Sequence, residues 1–176
     1  NRLLWRQNPR RIEAEAVLAA VQAVSGKLNE ERGGPGFEDF TYEEAYAPIY
    51  TYVTADDPKL WRRSIYRYLV RTTPSRFMTT LDCPDPANLT PKRMTTTTAL
   101  QSLALYNNDF ILRQARYFSE RVGQDGGDRV ARAYALAFGR KPTAEESKMA
   151  TEFIGREGFF TFCRALLNAN EFVYVD

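Results

Sequence analysis

The sequence predicts a mainly α domain: a helical bundle or orthogonal array of about six helices, with one small β-hairpin. Three observations carry that expectation. Thr98-Ala99-Leu100-Gln101 and Thr143-Ala144-Glu145-Glu146 both have the capping-box pattern, in which a threonine and the Gln or Glu that follows satisfy each other's backbone N–H at a helix start. Apolar residues recur at helical spacing behind these and other starts, and the runs stop at Gly26, Gly123 and Gly139, where a left-handed residue closes a helix at low cost. The turns between runs are short, and no fixed-period repeat is present.

Pro9 stands near a helix start, and Ile12, Ala16, Ala19, Ala20, Ala23 and Val24 recur at helical spacing, so a helix is expected over about 9–25. Gly33-Gly34-Pro35-Gly36 predicts a tight loop. Such a glycine cluster is able to cradle an anion, but it lacks the Gly-Lys-Ser/Thr ending of a phosphate loop, so a plain turn is expected. Residues 48–53 and 64–70 are rich in aromatic and β-branched residues and are expected to pair as antiparallel strands, with Ile65, Arg67, Leu69 and Arg71 on one face. A helix begun by Asp57 as N-cap and Pro58 competes for the second segment.

After Cys83-Pro84-Asp85-Pro86 the chain reads as consecutive helices. The first runs from the Thr98 box to Tyr106, with Leu100, Leu103 and Ala104 facing inward, Asn107 beside them, and Asn107-Asn108-Asp109 as the turn. A helix over about 109–122 offers Phe110, Leu112, Ala115, Phe118 and Val122 to the core, and residues 124–127 form a loop. Asp128 caps a helix carrying Val130, Ala133, Tyr134, Ala137 and Phe138. The Thr143 box opens another that reaches about Ile154, and residues 159–168 form the last.

With 176 residues, of which 44% are hydrophobic, the chain is sized for a single domain spanning 1–176 with a sizeable core. A net charge of +2 argues against a nucleic-acid partner, which demands a concentrated basic excess. No apolar run approaches the roughly 18 residues that cross a bilayer, so no membrane span is expected. The chain opens on Asn1 with no signal-peptide pattern and reads as an excised piece of a larger protein. Histidine is absent altogether, which removes the usual general base, the commonest metal ligand and the usual proximal haem ligand. Cys83 and Cys163 belong to no Cys-x-x-Cys or haem-attachment motif. Two buried free thiols are expected, with one disulfide as the alternative.

The most conspicuous polar concentration is Arg62, Arg63, Tyr66 and Arg67, flanked by Trp61, Tyr68, Arg71 and Arg76 and continuing to Lys92 and Arg93. Asp56, Asp57, Asp82 and Asp85 flank it and suit ion pairing, which is the leading expectation, ahead of an anion or sugar-acid site and of nucleic acid. Asp82, Asp85, Asn107, Asn108 and Asp109 are oxygen donors of the kind that hold Ca²⁺, but no EF-hand spacing is present and caps and turns are expected, with no metal. Two carboxylates across a glycosidic bond would make a glycosidase, and spacing alone does not identify such a pair. Thr95-Thr96-Thr97-Thr98 reads as an approach to an N-cap rather than a nucleophile, and Arg113 and Arg116 sit in a helix too aromatic for reading DNA.

Several segments together resemble a known family. They are Asn1-Arg2-Leu3-Leu4-Trp5-Arg6, Asn8-Pro9-Arg10-Arg11-Ile12-Glu13-Ala14-Glu15, Ala23-Val24-Ser25-Gly26-Lys27-Leu28 and Gly33-Gly34-Pro35-Gly36-Phe37. They are followed by Arg62-Arg63-Ser64-Ile65-Tyr66, Asp82-Cys83-Pro84-Asp85, the 97–108 segment, Phe138-Gly139-Arg140-Lys141-Pro142-Thr143 and Leu166-Leu167-Asn168-Ala169-Asn170-Glu171-Phe172. In this order they are similar to a planctomycete-specific C-terminal domain of unknown function, and the likeness covers nearly the whole chain. One departure is Ala99, where the family commonly shows Pro; a helix start accepts either.

The resemblance implies a context rather than a reaction. It implies an exported, periplasmic or cell-surface location, at the C-terminal end of large proteins with cytochrome-c-like modules, and it carries no catalytic residues. Any haem would lie in other domains of the parent, and no cofactor is expected in this fragment. The leading expectation is a non-catalytic structural or interaction module whose partners are those other domains. The alternative is a domain that binds or processes an acidic polysaccharide, for which the aromatic and arginine residues of 61–76 are the candidates.

Overall fold

The computed structural model describes Leu3 and residues 8–54, 56–124 and 126–175. The opening Asn1 to Arg6, apart from Leu3, and Asp125 of the expected 124–127 loop lie outside the described residues. The class is mainly α, with eight α-helices and two two-stranded antiparallel sheets among the described residues.

Strand β1 is Arg10–Arg11, and helix α1, Ala14–Ser25, begins later than expected. The first residues of the predicted helix pair instead with β4, Tyr174–Val175, in the register Arg10 to Val175 and Arg11 to Tyr174. Ile12 N–H extends the pairing to the Val173 carbonyl at 2.9 Å, and Glu13 is still extended. Helix α1 turns a different face inward from the one predicted: Ala14, Val17, Val21 and Val24 are buried, whereas Ala16 and Ala23 are exposed. The valines bury far more apolar surface than the alanines, and that difference sets the rotation. Gly26 closes the helix at φ 76, and an added Cβ would sit 3.1 Å from the Arg121 side chain.

The hairpin joins β2, Phe40–Glu43, to β3, Ile49–Tyr52. The first of the two expected strands therefore forms, but its partner is 40–43 and not 64–70. Ser64–Tyr66 is a 3-10 turn, and the chain around it bonds to Phe37: Phe37 N–H reaches the Tyr66 carbonyl and Tyr68 N–H the Phe37 carbonyl, both at 2.8 Å. Asp57 does cap, accepting from Lys59 N–H at 2.9 Å, but it starts only a 3-10 turn, Pro58–Trp61. Tertiary bonds to the 31–37 loop end that helix before it can propagate.

Helix α2, Arg76–Thr80, was not expected, and it leads into Asp82, whose φ of 61 is left-handed. Helices α3 (Ala99–Asn107), α4 (Asp109–Gly123), α5 (Arg129–Phe138), α6 (Ala144–Glu157) and α7 (Phe159–Leu167) follow the predicted order. Both capping boxes form, and Asp128 caps α5 through Val130 and Ala131 N–H. A further short helix, α8 (Asn170–Val173), precedes β4. On α3 the predicted inward face is wrong. Leu100 and Leu103 are 61% and 54% exposed, while Gln101 and Leu105 are buried.

Helix α4 is central, packing against both α1 and α7. Ile111, Ala115 and Phe118 of α4 are fully enclosed with Val17, Val21 and Leu167. Phe110 and Leu112, both placed in the core by periodicity, are only partly buried. Arginines close several helix ends: Arg121 donates to the Ala23 and Val24 carbonyls of α1, and Arg164 to the Tyr106 carbonyl of α3. No helix among the described residues is long and apolar enough to cross a membrane.

Candidate functional site

The polar residues that stand together in sequence disperse in space. Arg62 is 7% exposed and turns into the 31–36 loop, donating to the carbonyls of Pro35 (2.8 Å), Glu31 (3.3 Å) and Gly33. Its guanidinium lies 3.9 Å over the Tyr66 ring, and Tyr66 Oη accepts the Gly33 N–H. The glycine loop thus wraps a cation with its carbonyls. Gly36 fits because a Cβ there would approach the Tyr66 carbonyl oxygen to 2.8 Å. Arg63 is exposed beside this knot.

Arg67 pairs with Asp39, donating from Nε at 3.1 Å and from Nη2, and it lies 5.6 Å from the Tyr52 ring centroid. Burial raises the Tyr52 phenol above its ordinary pKa, with Asp39 adding to the effect and Arg67 opposing it. Asp82 pairs with Arg11 at 2.5 Å rather than with the 62–71 arginines. The Asp82 carboxylate also accepts from Thr96 N–H (2.7 Å), Thr96 Oγ1 (2.8 Å) and Gln101 Nε2 (3.1 Å). Burial pushes its pKa up, but these bonds and the Arg11 charge outweigh that and hold it low.

Arg93 binds both Glu15 oxygens at 2.8 Å and lies 3.3 Å from Glu13. That pairing lowers the Glu15 pKa, while burial and the nearby Glu15 raise the Cys83 thiol. Asp85 spans its own turn, accepting from Ala87 N–H and Asn88. Asn107 accepts from Arg164 at 2.6 Å, and Asn108 caps α4 through Phe110 N–H at 3.0 Å. Cys83 and Cys163 are free thiols, half-buried and buried respectively. Among the described residues no group of three Cys, Asp or Glu side chains is placed to hold a metal ion.

A cleft of about 520 Å³ lies among the hairpin, α1 and the first turns of α2 and α4. Of the sequence candidates it takes in Arg62, Arg67 and Asn108, and with them Arg76 and Arg113, but not Arg63, Tyr66, Asp82, Asp85, Arg93 or Asn107. It adds residues the sequence reading passed over: Asp39, Tyr50, Tyr52, Phe77 and Gln114. The register places Phe40 opposite Tyr52 and Tyr42 opposite Tyr50, so all four rings share one hairpin face. Ring centroids are 5.3 Å apart for Phe40 and Tyr50 and 5.4 Å for Tyr42 and Tyr50. The signal for this row was legible as Phe-x-Tyr and Tyr-x-Tyr alternation at 40–42 and 50–52.

Compared with known proteins, the chain matches a family described as "PSD1: Protein of unknown function (DUF1553)" over residues 1–154. No curated protein and no solved structure matches it. The match runs through β1, the glycine knot, the hairpin, the Asp82 network and helices α1–α5, and the chain therefore belongs to the PSD1 family of proteins of unknown function.

Proposed function

We propose that this domain is a non-catalytic structural and interaction module of a large exported, cytochrome-c-associated protein, packed against the other domains of that polypeptide. One observation carries the reading: its charged side chains close on one another across the chain. Arg11 meets Asp82, Arg67 meets Asp39, Arg93 meets Glu15, and Arg140 bridges Glu146 and Glu171 at 2.7 and 2.5 Å. Carboxylates clamped by partner guanidiniums in this way are fixed in place, which suits scaffolding better than proton transfer. The outward turns of α3 leave Leu100 and Leu103 open, an apolar surface suited to a neighbouring domain. The test is to titrate the chain with haem and, separately, with the remaining parent domains supplied as a second polypeptide. The reading expects no stoichiometric haem uptake and binding of the second polypeptide that Leu100→Glu weakens; haem uptake would overturn it.

A second reading, recognition of an acidic polysaccharide, is favoured by the aromatic row beside the cleft. The residues first singled out for it need replacing: Tyr66 and Arg67 are held by Arg62 and Asp39, so the residues to test are those of the row itself.

A further inference from the structure

We propose that the cleft beside the hairpin recognises an oligosaccharide carrying spaced carboxylates, of the uronic-acid class, and holds it without chemistry. The proposal deepens the polysaccharide reading and rests on it.

The cavity has the size of a small-ligand site, since such pockets run from about 300 to 1,000 Å³, and its volume is about 520 Å³. Its hairpin side is aromatic. Tyr50 and Tyr52 line it, Phe40 stands edge-on to both, and the row continues outward to Tyr42, which is 56% exposed. A run of rings leading from a cleft into solvent is costly to leave open, because it exposes apolar surface. Sugar rings have the matching shape: their axial C–H faces are apolar and their equatorial hydroxyls are polar. A chain of them can lie along such a row while its hydroxyls stay hydrated.

The charged lining fixes which sugars fit. Arg67 is already neutralised by Asp39 and turned to the Tyr52 ring. Arg76, at the first position of α2, is exposed and makes no side-chain hydrogen bond or ion pair among the described residues. A guanidinium held at a cleft edge is matched in shape to a carboxylate, which it binds through two parallel N–H donors. Asp109 also lines the cleft and is exposed. Its carboxylate accepts hydrogen bonds from hydroxyls and repels a dense polyanion. Aromatic rings, the Arg76 and Arg113 guanidiniums and one exposed carboxylate therefore favour sparse acid groups on a hydroxyl-rich chain over a polyphosphate backbone, whose affinity depends on many cations.

The experiment is calorimetric titration of the 176-residue chain with hexagalacturonate, its methyl ester and the neutral cellohexaose, repeated on Arg76→Ala and Tyr42→Ala. Both substituted side chains are exposed, so circular dichroism should show unchanged folding in each variant. Hexagalacturonate is expected to bind, and esterification or Arg76→Ala to weaken it by about tenfold, as loss of a charge-assisted pair does. Tyr42→Ala should weaken the acidic and the neutral oligosaccharide alike. Equal affinity for hexagalacturonate and cellohexaose, or hexagalacturonate binding indifferent to Arg76→Ala, overturns the uronic-acid proposal and leaves sugar binding standing. No binding of any of the three at millimolar concentration overturns both.

Discussion

Asp82 and Arg11 are joined at 2.5 Å, the arginine side chain 5% and the aspartate side chain 13% exposed, and the aspartate backbone lies in the left-handed region at φ 61. Asn and Asp enter that region more readily than other residues with a side chain, so one residue type supplies both the turn and the counter-charge. Removing the carboxylate strands a buried guanidinium. Asp82→Ala is expected to cost about 3–5 kcal/mol in urea unfolding. Asp82→Asn, which tolerates the same backbone and can still accept from Thr96, should cost less. Equal losses in the two variants would assign the whole cost to the lost charge, and an Asp82→Asn variant as stable as the parent would mean that the charge plays no part.

The Arg140 bridge makes acid stability a second test. Hydrogen bonds from Arg140, and then from the Thr143 N–H, lower the Glu146 carboxyl from the ordinary 4.5 to about 2. A group whose pKa is depressed by folding stabilises fully above its unfolded value, and that contribution drains away as the pH falls towards the folded value. Between pH 4.5 and about 2 the native chain should lose stability with a slope that Glu146→Gln flattens. Parallel pH–stability curves for the two proteins would contradict the bridge.

Helix α3 gives a substitution test of which face is inside. Leu105 is 3% exposed, and Leu105→Ala should cost about 2–5 kcal/mol. Leu100→Ala and Leu103→Ala, on the open face, should stay within about 0.5 kcal/mol of the parent. A large loss at Leu103 would restore the face that periodicity selected.

That reversal shows where the sequence was legible and where it was not. Starts and stops were readable because they are local: the Thr98 and Thr143 boxes, the Asp128 cap and the Gly26 and Gly139 ends each depend on residues within one turn. Facing was readable on α5, where Val130, Ala133 and Tyr134 are buried as expected, but not on α3, where it depends on distant partners. Gln101 turns inward because its amide meets Asp82 and Thr96, so a polar residue takes the position that an apolar count gives to leucine. The site failed for the same reason. Arg62, Arg67, Asp82 and Arg93 look like one cluster in sequence, but their partners are Gly33, Asp39, Arg11 and Glu15, none adjacent to them. The cleft was missed in part because its aromatic wall depends on the pairing of 40–43 with 49–52.

The thiols provide a probe of opening. Cys163 is fully buried, and that burial pushes its pKa up to about 12, so little thiolate exists at neutral pH. Alkylation of Cys163 should be negligible in the native chain and should follow the unfolding curve in urea. Cys83, half-buried against Glu15, should react first but slowly. Rapid labelling of Cys163 without denaturant would show that the α7 packing opens locally.

Arg10 and Val175 stand opposite each other at the outer end of a two-rung ladder. Tension applied across these two residues would load the rungs one after the other, as a zipper is loaded, rather than shearing them together. The clasp is therefore the weakest point under force, and the helical body behind it would be spared until both rungs and the Ile12–Val173 bond had parted. Because Arg10 and Val175 lie side by side, the distance between these two residues says nothing of the length of the helical body they enclose.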